Sequence, residues 1–256
     1  MRAVIVLFTD FGLEGPYIGQ MKARILRDLP SAAIVDLFTD APTANPKAAA
    51  YLLAAYAEEF PPGTVFLCVV DPGVGTERPG VVVQADGRWF VGPGNGLFEI
   101  VARRAAIIGK WKLTYDENAV SASFHGRDVF APVAAQLERD GQPVGEARPG
   151  SWNAFPEWPD DLAEIVYIDH YGNAMTGLRK GFVNPSFVLQ ANHVYLKSAR
   201  TFADVPSGEA FWYVNANGLV EIAINKGNAA DVLGIGLGSS VHVCVGDGGS
   251  GSGKFR

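Results

Sequence analysis

The chain has 256 residues, of which 48% are hydrophobic and 19% charged, and no 18 consecutive residues are apolar. That composition excludes both an intrinsically disordered chain and a membrane-spanning helix, and the length suits one large domain or a large and a small one. With 21 Lys and Arg against 27 Asp and Glu, the net charge of -6 offers no field for a phosphate backbone, so no nucleic-acid partner is expected.

Met1 to Phe8 carries one positive charge and a short apolar run that meets Thr9-Asp-Phe-Gly12 at once. It lacks the long apolar region and small-residue cleavage site of a secretory signal, and a cytoplasmic location is expected. The first half then alternates β-branched runs with helical patterns: AVIVLF at 3–8, YIGQMKARILRDL, AIVDL at 33–37, and a helix opening at Asn45 with Pro46 in its first position. Such alternation predicts a parallel, Rossmann-like α/β sheet. Residues 65–70 are apolar throughout, as in a central strand covered on both faces, and run straight into Asp71-Pro-Gly-Val-Gly, so Asp71 falls at a strand's carboxyl end. Asp86-Gly87 between two apolar runs predicts a hairpin and hence an antiparallel portion. A further helix is expected from near Pro132 to Gly141.

Residues 143–161 hold four prolines and two tryptophans without helical or strand periodicity, and they separate an N-terminal domain, 1–142, from a C-terminal one, 162–245. The second half contains short runs, AEIVYID, FVLQA, HVYLK, EAFWYVN, LVEIAIN and SVHVCV, divided by turn residues. A smaller antiparallel β domain is expected there. Cys68 and Cys244 lie in apolar runs and read as small buried hydrophobes, and the Gly/Ser-rich stretch 246–256 reads as a linker or tag remnant.

Four segments gather polar residues and glycines at expected strand ends, where open α/β sheets place their sites: Thr9-Asp-Phe-Gly12, Asp71 through Arg78, Gly92-Pro-Gly-Asn-Gly96 and Ser123-Phe-His-Gly-Arg-Asp128. Each taken alone is equally a tight turn. Asp10-Phe11-Gly12 and His125-Gly-Arg-Asp128 mimic kinase motifs, but they occur in the wrong order and no Gly-rich loop precedes them. Leu97 stands where a dinucleotide fingerprint needs its third glycine, and a phosphate-binding Walker sequence is absent. His125, His170, His193 and His242 have no paired spacing and no Cys-x-x-Cys exists, so no metal is expected.

Six ordered motifs together resemble one family. They are TDFG at 9–12, DPGVG followed by Arg78, GPGNG at 92–96, FHGRDVFAP at 124–132, DHYGNAMT at 169–176 and NGLVEIAINKGNAA at 217–230. The chain is similar in these to the S-adenosyl-L-methionine (SAM) hydroxide adenosyltransferases, adenosine-forming SAM hydrolases related to the fluorinase and chlorinase enzymes. The resemblance implies an Asp71, Arg78, His125 catalytic triad, attack of water or hydroxide on C5′ of SAM, and release of adenosine and L-methionine without a cofactor. It also implies a C-terminal β-barrel-like domain and a homotrimer with active sites at subunit interfaces.

The chemistry of the residues suits that reaction. Displacement at C5′ of a sulfonium expels a neutral thioether, so the site must mainly orient and desolvate an oxygen nucleophile. Either Asp71 or His125 serves as base, and the choice stays open in the sequence. Asp10 has the acceptor geometry for two ribose hydroxyls, and Asn173 can both donate to and accept from an adenine edge, roles that the resemblance also gives them. Tyr171 is placed to stack on the base. Asp169 matches a carboxylate that faces the methionine ammonium in the halogenases, although the turn after it is one residue shorter here. Glu221, on LVEIAIN, is either a binding residue or an exposed strand residue facing away from Val220 and Ile222. Ala216 and Asn217 depart from the Ser and Arg found in relatives, which leaves the methionine carboxylate without an assigned partner, and Met175 stands where the fluorinase has a tryptophan, which implies a differently shaped adenine or methionine pocket. Two rival functions remain, a halide-dependent SAM lyase and a non-catalytic SAM or adenosine binder.

Overall fold

The computed structural model describes residues 4–148 and 154–244, and its strands begin where the β-branched runs begin. The chain divides into two units, residues 1–160 and 161–256. In chain order the first unit contains β1 (Val4–Thr9), α1 (Tyr17–Asp28), β2 (Ala33–Phe38), α2 (Pro46–Tyr56), β3 (Val65–Val69), β4 (Gly80–Ala85), β5 (Arg88–Pro93), α3 (Glu99–Arg104), β6 (Ile108–Lys112), α4 (Ala131–Asp140) and β7 (Glu146–Ala147). Its sheet has the order β2-β1-β3-β5-β4-β6-β7. The first four are parallel, and β4, β6 and β7 extend the sheet by antiparallel pairing.

Side-chain alternation puts helices on both faces of the parallel part. Ile5, Leu7, Val65 and Leu67 form one core with Ile18, Met21 and Ile25 of α1 and Ala134, Ala135 and Leu137 of α4. The opposite face carries Phe8, Phe66 and Phe90, with Phe8 against Phe38, Phe38 against Tyr56 of α2, and Phe90 against Phe98. Local signals explain the boundaries. The Asn45 side chain accepts from Ala48 N at the start of α2, and Gly141 takes a left-handed φ of 61° just beyond α4. Asp86 and Gly87, with φ of 46° and 80°, make the two-residue turn that joins β4 to β5.

Part of the Pro/Trp-rich segment packs on the first unit. Arg103 donates to the carbonyls of Phe155 and Trp158 at 2.9 and 2.6 Å, and the Tyr51 hydroxyl donates to that of Pro159.

The second unit contains β8 (Leu162–Ile168), β9 (Ala174–Arg179), β10 (Val188–Ala191), β11 (Val194–Leu196), β12 (Ala210–Val214), β13 (Leu219–Ile224), α5 (Ala229–Leu233) and β14 (Val241–Cys244). Its strands are antiparallel, as expected, but they form two sheets, β12-β13-β9-β8 and β11-β10-β14, rather than a closed barrel among the described residues. Among the described residues the strand pairing between them is limited to isolated bridges, Glu164 to Ser240 and Ser198 to Trp212, so neither seam carries a continuous ladder. A shared core of Ile165, Leu178, Leu189, Trp212, Val220 and Ile222 fills the space between the sheets.

Cys68 is buried, and burial pushes its thiol pKa well up, as for an inert core residue. No helix among the described residues is long and apolar enough to cross a membrane. The stretch read as a linker or tag remnant, 246–256, lies outside the described residues, as do 1–3, 149–153 and 245.

Candidate active site

Parallel pairing of β1 with β3 sets Thr9 opposite Val69, and Asp10 N donates to Val69 O at 3.3 Å. The two strands therefore deliver Asp10 and Asp71 side by side at their carboxyl ends. Asn95, in the glycine-rich turn after β5, donates to Val70 O at 2.9 Å and fixes the chain just before Asp71. The loop from Asp71 then doubles back through Gly75. This glycine has φ of 78°, and a Cβ there would lie 2.8 Å from the carbonyl oxygen of Ala122, so its lack of a side chain lets the Asp71 loop meet the His125 segment. His125 itself opens a π-helical turn, Gly126–Phe130, that leads into α4. Such wide turns are uncommon and occur frequently at functional sites.

These elements join Asp71, Arg78 and His125 in one hydrogen-bonded chain. Arg78 Nε donates to Asp71 Oδ1 at 2.8 Å, Arg78 Nη2 donates to Asp71 Oδ2, and the same Nη2 lies 3.0 Å from His125 Nδ1. The Arg78 and Asp71 side chains are 9% and 4% exposed, so water screens the pair little. Arg78 also lies over the Phe130 ring. A guanidinium is a donor only, so His125 Nδ1 accepts and Nε2 carries the ring hydrogen. Burial, and then repulsion from Arg78, hold the His125 pKa below the usual histidine value. The sign follows directly: a lowered pKa keeps the ring neutral to lower pH. A pH profile of kcat/KM should therefore show no histidine limb at or above about pH 6.5. An acid limb centred above that value would contradict a neutral His125.

Asp10 and His125 face a cavity of about 300 Å³, walled by Phe11, Tyr17 and Phe124. The three rings pack at 5.5 to 5.9 Å between centroids. Asp10 Oδ2 accepts from Ala44 N at 2.9 Å, and Ala44 is held at a left-handed φ of 52°. Burial raises the Asp10 pKa above the usual carboxylate value, and the neighbouring Asp71 charge adds to the rise. Sequence reasoning missed the aromatic wall and Ala44. Phe11 and Phe124 stood inside quoted motifs, whereas Tyr17 and Ala44 carried no signal of their own.

Asp169, Tyr171, Asn173 and Glu221 form a second set, in the second unit. The turn between β8 and β9 is built on Asp169: Oδ1 accepts from Tyr171 N and Asn173 N at 2.9 and 2.8 Å, and Oδ2 accepts from Asn173 Nδ2 at 2.9 Å. The Tyr171 ring projects outward, 75% exposed, while Asn173 is buried. Gly172 has φ of 82°, and a Cβ there would lie 2.1 Å from the Asn228 side chain, which caps α5. Gly172→Ala should cost about 1–3 kcal/mol in denaturant unfolding, since both the backbone and the cap must yield. An unchanged midpoint would show that the turn is not pinned in this way.

Of the two readings of Glu221, a binding residue or an exposed strand residue, the second is overturned, because Glu221 is 2% exposed. β13 is an interior strand, with Glu221 beside Tyr213 of β12 and Met175 of β9, and all six of its residues are buried, so both of its faces are covered. The Tyr213 hydroxyl donates to Oε1 and Asn215 Nδ2 to Oε2, which satisfies the buried carboxylate. Burial raises its pKa, and the hydrogen bonds from Tyr213 and Asn215 offset part of the rise. Tyr213 and Asn215 had no signal in the sequence because their role depends on cross-strand register.

Comparison with known proteins agrees with the motifs. Residues 5–146 match the SAM hydroxide adenosyltransferase N-terminal domain and residues 163–242 the corresponding C-terminal domain. The (R)-S-adenosyl-L-methionine hydrolase of Thermus thermophilus is 38% identical over 95% of this chain and all of that protein. Its namesake in Salinispora tropica is 33% identical over 93% of this chain and 96% of that protein. An uncharacterised conserved protein of Thermotoga maritima has a crystal structure that superposes with a TM-score of 0.83 at 31% identity, covering 94% of this chain and all of the other. Both units are matched, and a relative well above 30% identity is covered along its entire length, so this chain belongs to the SAM hydroxide adenosyltransferase family.

Proposed function

We propose that this chain hydrolyses S-adenosyl-L-methionine to adenosine and L-methionine by attack of a water oxygen on C5′. The observation that carries the reading is the buried chain of Asp71, Arg78 and His125 beside the Asp10 cavity. Four relatives named (R)-S-adenosyl-L-methionine hydrolase, at 29–38% identity, support it.

Each residue has a role that its bonding allows. Arg78 Nη1 is buried with no hydrogen-bond partner among the described residues, and His125 Nε2 carries a hydrogen, so both are donors left for an incoming oxygen. Asp71 is the acceptor of the three. As the oxygen bonds to C5′ and the C5′–S bond breaks, the electron pair stays on the neutral methionine sulfur. The water proton passes to Asp71 and then to solvent. Donors fixed in advance around the developing hydroxide need no reorganisation, which is where such sites gain most. Asp10 accepts from the ribose hydroxyls, Asn173 meets the adenine edge and Tyr171 stacks on the base. Glu221, tied to Tyr213 and Asn215, shapes the wall of this second set. The reaction as written calls for no metal and no cofactor.

The test is product analysis of SAM incubated with and without chloride or fluoride. Adenosine and methionine should form at equal rates in both, and a 5′-halo nucleoside or a halide requirement would contradict hydrolysis. A homotrimer and a cytoplasmic location belong to the same proposal. Light scattering should give three times the chain mass, and a fully active monomer would oppose the trimer.

A further inference from the structure

We propose that Asp169 is a positioning residue that fixes the orientation of the Asn173 carboxamide and so makes the site select a 6-amino purine over a 6-oxo purine. This rests on the reading of Asn173 as the adenine-recognising group. An Asn side chain can be turned end for end at little cost, presenting either its oxygen or its nitrogen to a ligand. Here one of the two ends is committed. Asp169 Oδ2 accepts from Asn173 Nδ2 at 2.9 Å, and an ionised carboxylate has no hydrogen to give, so the reversed amide would set two oxygens against each other. The carboxylate is itself immobilised, because its Oδ1 accepts from the backbone N of Tyr171 and of Asn173.

The amide therefore offers a ligand its Oδ1, which has no partner among the described residues, and one remaining Nδ2 hydrogen. An acceptor beside a donor complements the amino group and ring nitrogen of adenine. A 6-oxo purine places an acceptor against Oδ1 and is rejected. Through this bond Asp169 acts on the base by way of Asn173.

The test compares kcat/KM for SAM and for S-inosyl-L-methionine, its 6-oxo counterpart. The wild-type chain should favour SAM by at least about tenfold, the usual cost of leaving a buried polar group unpaired. Asp169→Asn keeps an oxygen for the two backbone N–H groups but turns its own NH₂ toward Asn173, which reverses that amide. The preference for SAM should then fall by about tenfold or more, chiefly through KM, while the melting temperature stays close to wild type. Asp169→Ala removes the lock without imposing the reversed amide, so the preference should fall there too, by less than in Asp169→Asn. This variant also decides the matter if Asp169→Asn fails to fold: a weakened preference supports the proposal and an unchanged wild-type preference overturns it. Loss of preference in Asn173→Ala together with full preference in Asp169→Asn overturns the amide lock alone. An Asn173→Ala variant with wild-type KM values and preference overturns the adenine reading and the lock with it.

Discussion

Arg78→Ala is expected to lower kcat for SAM hydrolysis by about 10²- to 10⁴-fold while the KM for SAM changes much less, because substrate contacts are assigned to other residues. Arg78 alone touches both other members of the triad, through Nε and Nη2 to Asp71 and Nη2 to His125. Its removal takes a donor from the nucleophile and frees the His125 ring to change tautomer. It also leaves Asp71, with its side chain 4% exposed, without a counter-charge. Breaking a buried pair in this way costs about 3–5 kcal/mol, so a fall in activity must be separated from unfolding. Arg78→Lys makes that separation. An ammonium keeps the charge and much of the stability, yet it cannot form the two-pronged bond to Asp71 and reach His125 as well. Turnover should stay low in Arg78→Lys while the melting temperature largely recovers. A lysine variant with near wild-type kcat would refute the requirement for a guanidinium.

Asp10→Asn should raise the KM for SAM by about 10²-fold with a smaller effect on kcat, since two hydrogen bonds to a charged acceptor are lost or weakened. The amide retains an oxygen for Ala44 N, the bond that Asp10 Oδ2 accepts, so the loop at Ala44 is kept and the effect reports on the substrate. Wild-type enzyme given 2′-deoxy-SAM should show a comparable loss, and Asp10→Asn should barely distinguish the two substrates. Independent, additive losses in that double comparison would place Asp10 away from the ribose.

Much of the fold is legible in the sequence where one short-range signal suffices. Asn45-Pro46 opens α2, Asp86-Gly87 turns β4 into β5, and Gly141 ends α4, each through its own backbone preference. β9 was not legible. Its sequence AMTGLR has a glycine and little β-branching, and it becomes a strand because β8 and β13 pair with it on either side. β6 and β7 at the sheet's antiparallel end were missed for the same reason. Glu221 shows the limit of period-2 reasoning: alternation says which face a residue takes, but whether that face is covered depends on strands 8 and 46 residues away in the chain. Within the site, strand-end positions made Asp10 and Asp71 candidates, whereas the set of Asp71, Arg78 and His125 came from the family resemblance, and His125 opens a π-helical turn rather than ending a strand. The bonds of Arg78 are set by the fold of its loop, and the locking of Asn173 by Asp169 is a matter of atoms rather than spacing.

The most direct test of the central claim is turnover of SAM by the purified protein in halide-free H₂¹⁸O, followed by mass spectrometry of the products. The account predicts methionine without label and adenosine carrying one ¹⁸O at the 5′ position. Unlabelled adenosine, or intact SAM despite tight binding, would contradict attack of water at C5′.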